Sequence, residues 1–301
     1  MRSNSYFPIS KVMFLLVPLL QLSIWGCNNS EELKETTEDV AVDTTASKFI
    51  DMGEVRIIIP SPIQTAILVK EVGALYEPTI LNPNENHTGY STNYEKALNL
   101  GVYGADLGYS TIYEKADVSL KYLKTVSDLS DDIGVSSVFS PAVMKRITSN
   151  IGNQDSLLSM VSTCYSSLNG FLQENDRVDV CALVMAGGWI ESTYFVTKIS
   201  GVMDSQELVN RIGEQKSILT NLIKLIEPFY NNPEYTELIN ELYDIETAFE
   251  NVQVEYNFVE PTTDSDNKST MVNSTSTVII SEENIQIISE KIESIRNLIT
   301  G

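Results

Sequence analysis

The sequence has one histidine and three cysteines in 301 residues. A histidine-rich metal centre needs several imidazoles, and a disulfide scaffold needs dense paired cysteines, so both classes are excluded. Glycine and proline are scarce too, with 15 and 10 residues, below the roughly 12% that average chains devote to the two together. Collagen-like, Pro-rich and Gly/Ser low-complexity chains are therefore out. Basic residues are half as many as acidic ones, 20 against 41, for a formal net charge of −21. Such a surface repels phosphate backbones, so no nucleic-acid partner is expected. Catalytic signatures are missing as well: there is no Gly-x-Ser-x-Gly, no Gly-x4-Gly-Lys-Ser/Thr and no His-Glu-x-x-His. Gly101-Val102-Tyr103-Gly104 lies within a helical pattern, not after a strand. Ser265-Asp266-Asn267-Lys268 overlaps two β-lactamase fragments in one loop, where that chemistry needs separate elements. What the chain does have is 43% hydrophobic residues, enough for a core in one large domain or two small ones.

Residues 1–26 read as a signal peptide. Arg2 and Lys11 form a basic start, and Val12 to Leu22 is an apolar run. It is shorter than the ~20 residues needed to span a ~30 Å hydrocarbon core and fits a secretory h-region. The run ends in Ile24-Trp25-Gly26-Cys27. That string resembles a bacterial lipobox, and the resemblance implies diacylation of Cys27 and loss of everything before it. Cleavage would remove two cations and no acid, leaving a charge of −23. No later stretch is read as a membrane span, so the lipid would be the only anchor. Residues 27–48 read as the lipidated Cys and an acidic tether too polar to fold. Ser30-Glu31-Glu32 resembles the acidic export signal of surface lipoproteins in the Bacteroidetes, and Asn28 is not the Asp that retains lipoproteins in the inner membrane of enteric bacteria. Both features point to the outer membrane, facing the periplasm or the cell surface.

The body, 49–301, reads as mainly α: an irregular multi-helix bundle with a small β-hairpin near the C-terminus. Caps and breakers place helices at Ser61-Pro62 to about Tyr76, about 92–113, onward to Ile133 with Gly134 as cap, and Ser140-Pro141 to about Asn150. Further helices follow at about 154–174, 177–200 capped by Asn175-Asp176, 204–229, and Pro233 to about Asn251. The last starts at Ser281 and carries Ile285, Ile288, Ile292, Ile295 and Ile299 as one apolar stripe. Its other faces are polar, so it is expected to pack from outside. Val252, Val254, Tyr256 and Phe258 alternate with polar residues, and Thr275 to Ile280 is β-rich. These predict a hairpin over about 252–280 with a long bare tip. Val55, Ile57 and Ile59 would add a third strand.

Two helices carry the chemistry-bearing residues. On 92–113, Asn99, Tyr103, Asp106, Ser110 and Tyr113 share one face by their 4-3-4-3 spacing. The helix also carries Gly101, Gly104 and Gly108, which cost about 1 kcal/mol each against Ala and persist where a helix or a ligand comes close to the backbone. Helix 177–200 is apolar or glycine from Leu183 to Ile190, including Trp189, and then shows Glu191, Tyr194 and Lys198. Asp106 and Glu191 align in a faint repeat at an 85-residue offset. A carboxylate on a core helix must be hydrogen-bonded, paired or neutral. One reading is a structural network held by hydroxyls or Lys198. The other is a pocket between the helices in which tyrosines and Trp189 stack a ligand and the carboxylates orient it or move protons. Leu98-Asn99-Leu100-Gly101-x-Tyr103-x-Ala105-Asp106-Leu107 also resembles a string in Bacteroidetes lipoproteins, a resemblance that implies a location and no activity. Cys164 and Cys181 are expected about 10 Å out of level on their helices, too far for a disulfide, and His87 in a solvated loop.

The leading expectation is a lipid-anchored envelope binding or scaffold protein without catalysis, cofactor or metal. Its open partners are an envelope protein, a small molecule or a glycan. The alternative is a carboxylate-dependent binding protein or hydrolase at Asp106 and Glu191. A solvent-open pocket there favours the alternative, and a packed, dry interface favours the scaffold.

Overall fold

The computed structural model describes residues 49–51, 56–58, 62–150, 153–175, 177–264 and 269–301. The signal peptide, Cys27 and the tether lie outside the described residues. Strands β1 (Phe49–Asp51) and β2 (Arg56–Ile58) precede eight helices: α1 (Pro62–Glu71), α2 (Asn93–Ile112), α3 (Ala116–Asp132), α4 (Pro141–Ser149), α5 (Gln154–Glu174), α6 (Val178–Ser200), α7 (Gln206–Ile226) and α8 (Pro233–Ala248). Strands β3 (Gln253–Asn257), β4 (Thr262–Asp264), β5 (Ser269–Met271) and β6 (Thr275–Ile279) follow, and α9 (Glu282–Thr300) closes the chain. The fold is mainly α, as the caps and periodicities predict.

Local chemistry sets the boundaries. Thr92 Oγ1 accepts from Glu95 N at 3.1 Å while Glu95 Oε2 accepts from Thr92 N at 2.9 Å, a reciprocal cap that starts α2. Gly134, at φ +77°, ends α3 with Val135 N donating to Ser130 O. Two ends differ from expectation. Helix α1 stops at Glu71, five residues early, because Gly73 takes φ +87° and Ala74 N closes onto Val69 O. Helix α6 has Arg177 and not Asn175 at its N-cap, because Asn175 N donates to Phe171 O and Arg177 N to Leu172 O at 2.8 Å, bonds that close α5, while Asp176 lies outside the described residues.

At the centre lies α6, buried at every position from Val180 to Thr197. By length and composition it would pass for a membrane span, yet its apolar window is wholly buried in the body. Helix α2 lies along it with backbones in direct contact. A Cβ on Gly101 would sit 2.0 Å from Val184 O, and one on Gly187 would sit 1.9 Å from Leu98 O. The glycines therefore serve helix–helix approach. Helix α9 packs on α6 and α8 through Ile288, Ile292, Ile295 and Ile299, all buried.

The hairpin forms where expected, with β3 and β6 antiparallel from Gln253↔Ile279 to Asn257↔Thr275. Its tip is not a bare loop: β4 and β5 form a second ladder, Thr262↔Met271 to Asp264↔Ser269. Nor does the predicted third strand join it. Strand β2, holding Ile57, pairs with β1 in a separate ladder, and Val55 and Ile59 lie outside the described residues. Val252 and Val278 are buried, and Val278 packs on Gly213 of α7. Beyond them the apolar face is bare, with Val254 46%, Tyr256 64% and Phe258 68% exposed.

Candidate functional site

The polar face of α2 points into the protein and binds backbone. Asn99, Tyr103, Asp106 and Ser110 are fully buried and Tyr113 is half-buried. Tyr113 OH donates to Ala74 O at 2.9 Å and Tyr103 OH to Pro83 O at 2.8 Å. Tyr122 of α3 donates to Asn82 O at 2.9 Å, and Tyr109 OH accepts from Glu77 N at 3.1 Å. These hydroxyls pin residues 74–90, an irregular segment with short 3-10 turns at Pro78–Ile80 and Asn84–Gly89. Asn99 Nδ2 donates to Ile299 O at 2.7 Å and to Glu95 O at 3.0 Å, tying the end of α9 to α2. Ser110 Oγ donates to Leu107 O and accepts from Ser119 Oγ at 3.0 Å.

Asp106 and Glu191 are neighbours inside the protein. Both are fully buried, and the side chains lie within hydrogen-bond reach of each other. The cation beside Glu191 is Arg296 of α9, a residue with no functional role in the sequence analysis. Arg296 Nε donates to Glu191 Oε2 at 2.7 Å and Nη2 to Oε1 at 2.9 Å, a bidentate pair. Nη2 also donates to Ile80 O at 3.2 Å, and the guanidinium lies 4.4 Å from the Tyr194 ring centre. Asp106 Oδ2 accepts from Asn82 N at 3.3 Å, while Oδ1 meets no hydrogen-bond partner. One signal for Arg296 was present. It sits at i+4 from Ile292 and i−3 from Ile299, so it belongs to the buried stripe and not to the polar faces.

Two other singled-out residues point elsewhere. Lys198 pairs with Glu293 at 2.7 Å on the half-exposed edge and lies 5.4 Å from the Tyr194 ring, without reaching Glu191. Trp189 Nε1 donates to Gln215 Oε1 of α7 at 3.0 Å, away from the carboxylates.

Burial, then the neighbouring Glu191 charge, holds Asp106 well above the usual carboxylate range, with Arg296 opposing. Burial pushes Glu191 up as well, while Arg296 pulls it down. Burial works against the Arg296 cation, but the Glu191 carboxylate outweighs it and raises its pKa. The pair could exchange a proton internally, and neither side chain has any surface exposure, with α2 touching α6 backbone to backbone. A surface cleft of about 660 Å³ lies elsewhere, between residues 85–95, the start of α8 and the end of α9, with Glu95, Glu237, Tyr94 and Leu98 on its walls.

Cys164 and Cys181 are buried, with their thiols pushed up to about 11 and about 12, and no disulfide joins them. His87 is half-buried, its Nδ1 2.6 Å from Asn84 O. Among the described residues, no three His, Cys, Asp or Glu side chains gather as metal ligands would. Comparison with protein-family models, with curated proteins and with solved structures returns no match.

Proposed function

We propose that the protein is a lipid-anchored binding or scaffold protein of the outer membrane, held by diacylated Cys27, that acts through its surface and not by catalysis. The observation that carries the non-catalytic half is the sealed Asp106–Glu191–Arg296 cluster, the most chemistry-bearing group of residues, whose contacts all go to the fold. The hairpin supports the binding half. Seven of the twelve exposed large apolar residues of the described chain lie between Val254 and Ile279, a concentration that marks interaction surfaces. The lipobox resemblance supports the anchor and the envelope location.

Photocrosslinking in cells from position 256, with the still more exposed position 75 as a control away from the hairpin, tests the binding half. The expected result is a discrete adduct from 256, lost with Phe258→Ser, and none from 75. A melting screen of the full-length protein in detergent against metabolites and glycans tests the other half. A ligand whose stabilisation vanishes in a folded Asp106→Asn variant would overturn the reading and restore the carboxylate site.

A further inference from the structure

The sealed cluster holds two carboxyl groups and one cation. Were both carboxyls ionised, the buried cluster would carry a net negative charge, a costly state. The hydrogen bonds show which group differs. The donors of Arg296 go to Glu191 and Ile80 O, and none goes to Asp106. Asp106 receives one bond, from Asn82 N to Oδ2, and Oδ1 has no donor facing it. A proton on Asp106 resolves this orphan, because the carboxyl is then a donor and the Glu191 side chain is its hydrogen-bond neighbour. Each carboxylate oxygen of Glu191 has a lone pair to spare after accepting from Arg296.

We propose that Asp106 carries a proton in the folded protein, donates it to Glu191, and thereby closes a neutral clasp that keeps α9 and residues 74–90 docked on α2 and α6. The clasp joins all four parts: Asp106 on α2 holds Asn82 N, Glu191 on α6 holds Arg296 of α9, and Arg296 holds Ile80 O. Loss of the proton as pH rises leaves one uncompensated charge in the seal and loosens α9.

The surrounding groups leave Asp106 as the one that titrates. On α6, Tyr194 packs against Arg296, and Lys198 is paired with Glu293 of α9. Tyr103 of α2 and Tyr122 of α3 donate to Pro83 O and Asn82 O, and Tyr90 donates to Thr300 O. Tyr76 OH makes no hydrogen bond, so it does not supply the donor that Oδ1 lacks. On α1, Lys70 is bonded to Ile112 O and Glu114, a turn and a half beyond Asp106, and Glu71 is exposed. Helix α5 offers Cys164, whose thiol stays protonated. The tyrosines near the cluster are all raised from their ordinary values by burial first, so they stay neutral in this window.

The sign follows from linkage. A group raised in the folded state gives stability that is complete below its unfolded value, near pH 4, and lost as pH rises through the folded value. Asp106→Asn keeps the shape and keeps a donor toward Glu191 but cannot ionise. Relative to that variant, the wild-type unfolding constant should rise up to tenfold per pH unit from about pH 4 upward until the folded value is passed. Urea titrations of the full-length wild type and variant at several pH values read this ratio, and hydrogen exchange of the α9 amides reads the loosening. Infrared spectra of the wild type should show a protonated-carboxyl band, at a pH where exposed carboxyls are ionised, that Asp106→Asn lacks. A ratio independent of pH, or one that falls with pH, overturns the proposal. So does the absence of that band in wild-type protein, a readout that holds even where the variant does not fold.

Discussion

Replacing Gly187 with alanine should pull the two central helices apart. The new Cβ would lie 1.9 Å from Leu98 O, where carbon and carbonyl oxygen ordinarily stand about 3.3 Å apart or more. The helices must therefore separate locally by more than about 1 Å. Neither colliding group can rotate away, because one is a helix carbonyl and the other sits directly on the α6 backbone. Overpacking typically costs 1–3 kcal/mol and occasionally more, and backbone against backbone belongs at the upper end. Alanine's better helix propensity returns about 1 kcal/mol. A net destabilisation of about 2 kcal/mol remains, and Gly101→Ala, 2.0 Å from Val184 O, should behave alike. Gly104→Ala is the control: it lies on the same helix with no atom within 4 Å of its Cβ, so it should be neutral or stabilising by up to ~1 kcal/mol. Equilibrium urea unfolding of the three variants separates the cases. If Gly187→Ala unfolds at the wild-type midpoint or above it, the close approach of α2 and α6 is wrong, and so is the seal over Asp106 and Glu191 that depends on it.

Three further outcomes are expected. Cys27→Ser should abolish lipid labelling and move the protein from the membrane to the soluble fraction, and a variant still membrane-bound in high salt would refute the anchor. Glu191→Gln should cost about 3 kcal/mol in urea unfolding, the order seen when one partner of a buried ion pair is removed, whereas the exposed pair Lys291–Asp244, at 3.9 Å, should cost under ~1 kcal/mol when broken. Limited proteolysis should cut the body first within 261–274, where residues 261–263 and 269–272 are exposed, and a first cut inside α2 or α6 would contradict their central burial.

The fold was legible wherever a local signal decides it. Thr92 and Glu95 announce the start of α2, Gly134 the end of α3, and Ser281 the start of α9. The isoleucine stripe of α9 gives its buried face. Partners are harder to read than elements. On a helix buried all round, periodicity cannot say which neighbour a side chain meets, so Trp189 and Lys198 were grouped with Glu191 although they turn to Gln215 and Glu293. Arg296 lies 105 residues from Glu191 along the chain, and nothing local links the two. Gly101 and Gly187 mark a close approach without saying whether a helix or a ligand makes it.

The polar face of α2 has a reason that sequence patterning hides. Residues 74–90 run partly buried, with Ile80, Leu81 and Asn82 inside, and the segment has no strand or long helix to satisfy its own backbone. Buried carbonyls and amides need partners. The carbonyls of Ala74, Ile80, Asn82 and Pro83 receive Tyr113, Arg296, Tyr122 and Tyr103. The amides of Glu77 and Asn82 donate to Tyr109 OH and Asp106 Oδ2. Side chains on α2, α3 and α9 thus supply what regular secondary structure would have supplied. A row of tyrosines with one carboxylate looks like a ligand site in the sequence because a ligand's polar atoms and an irregular backbone call for the same donors and acceptors. Here the bound molecule is a stretch of the chain itself.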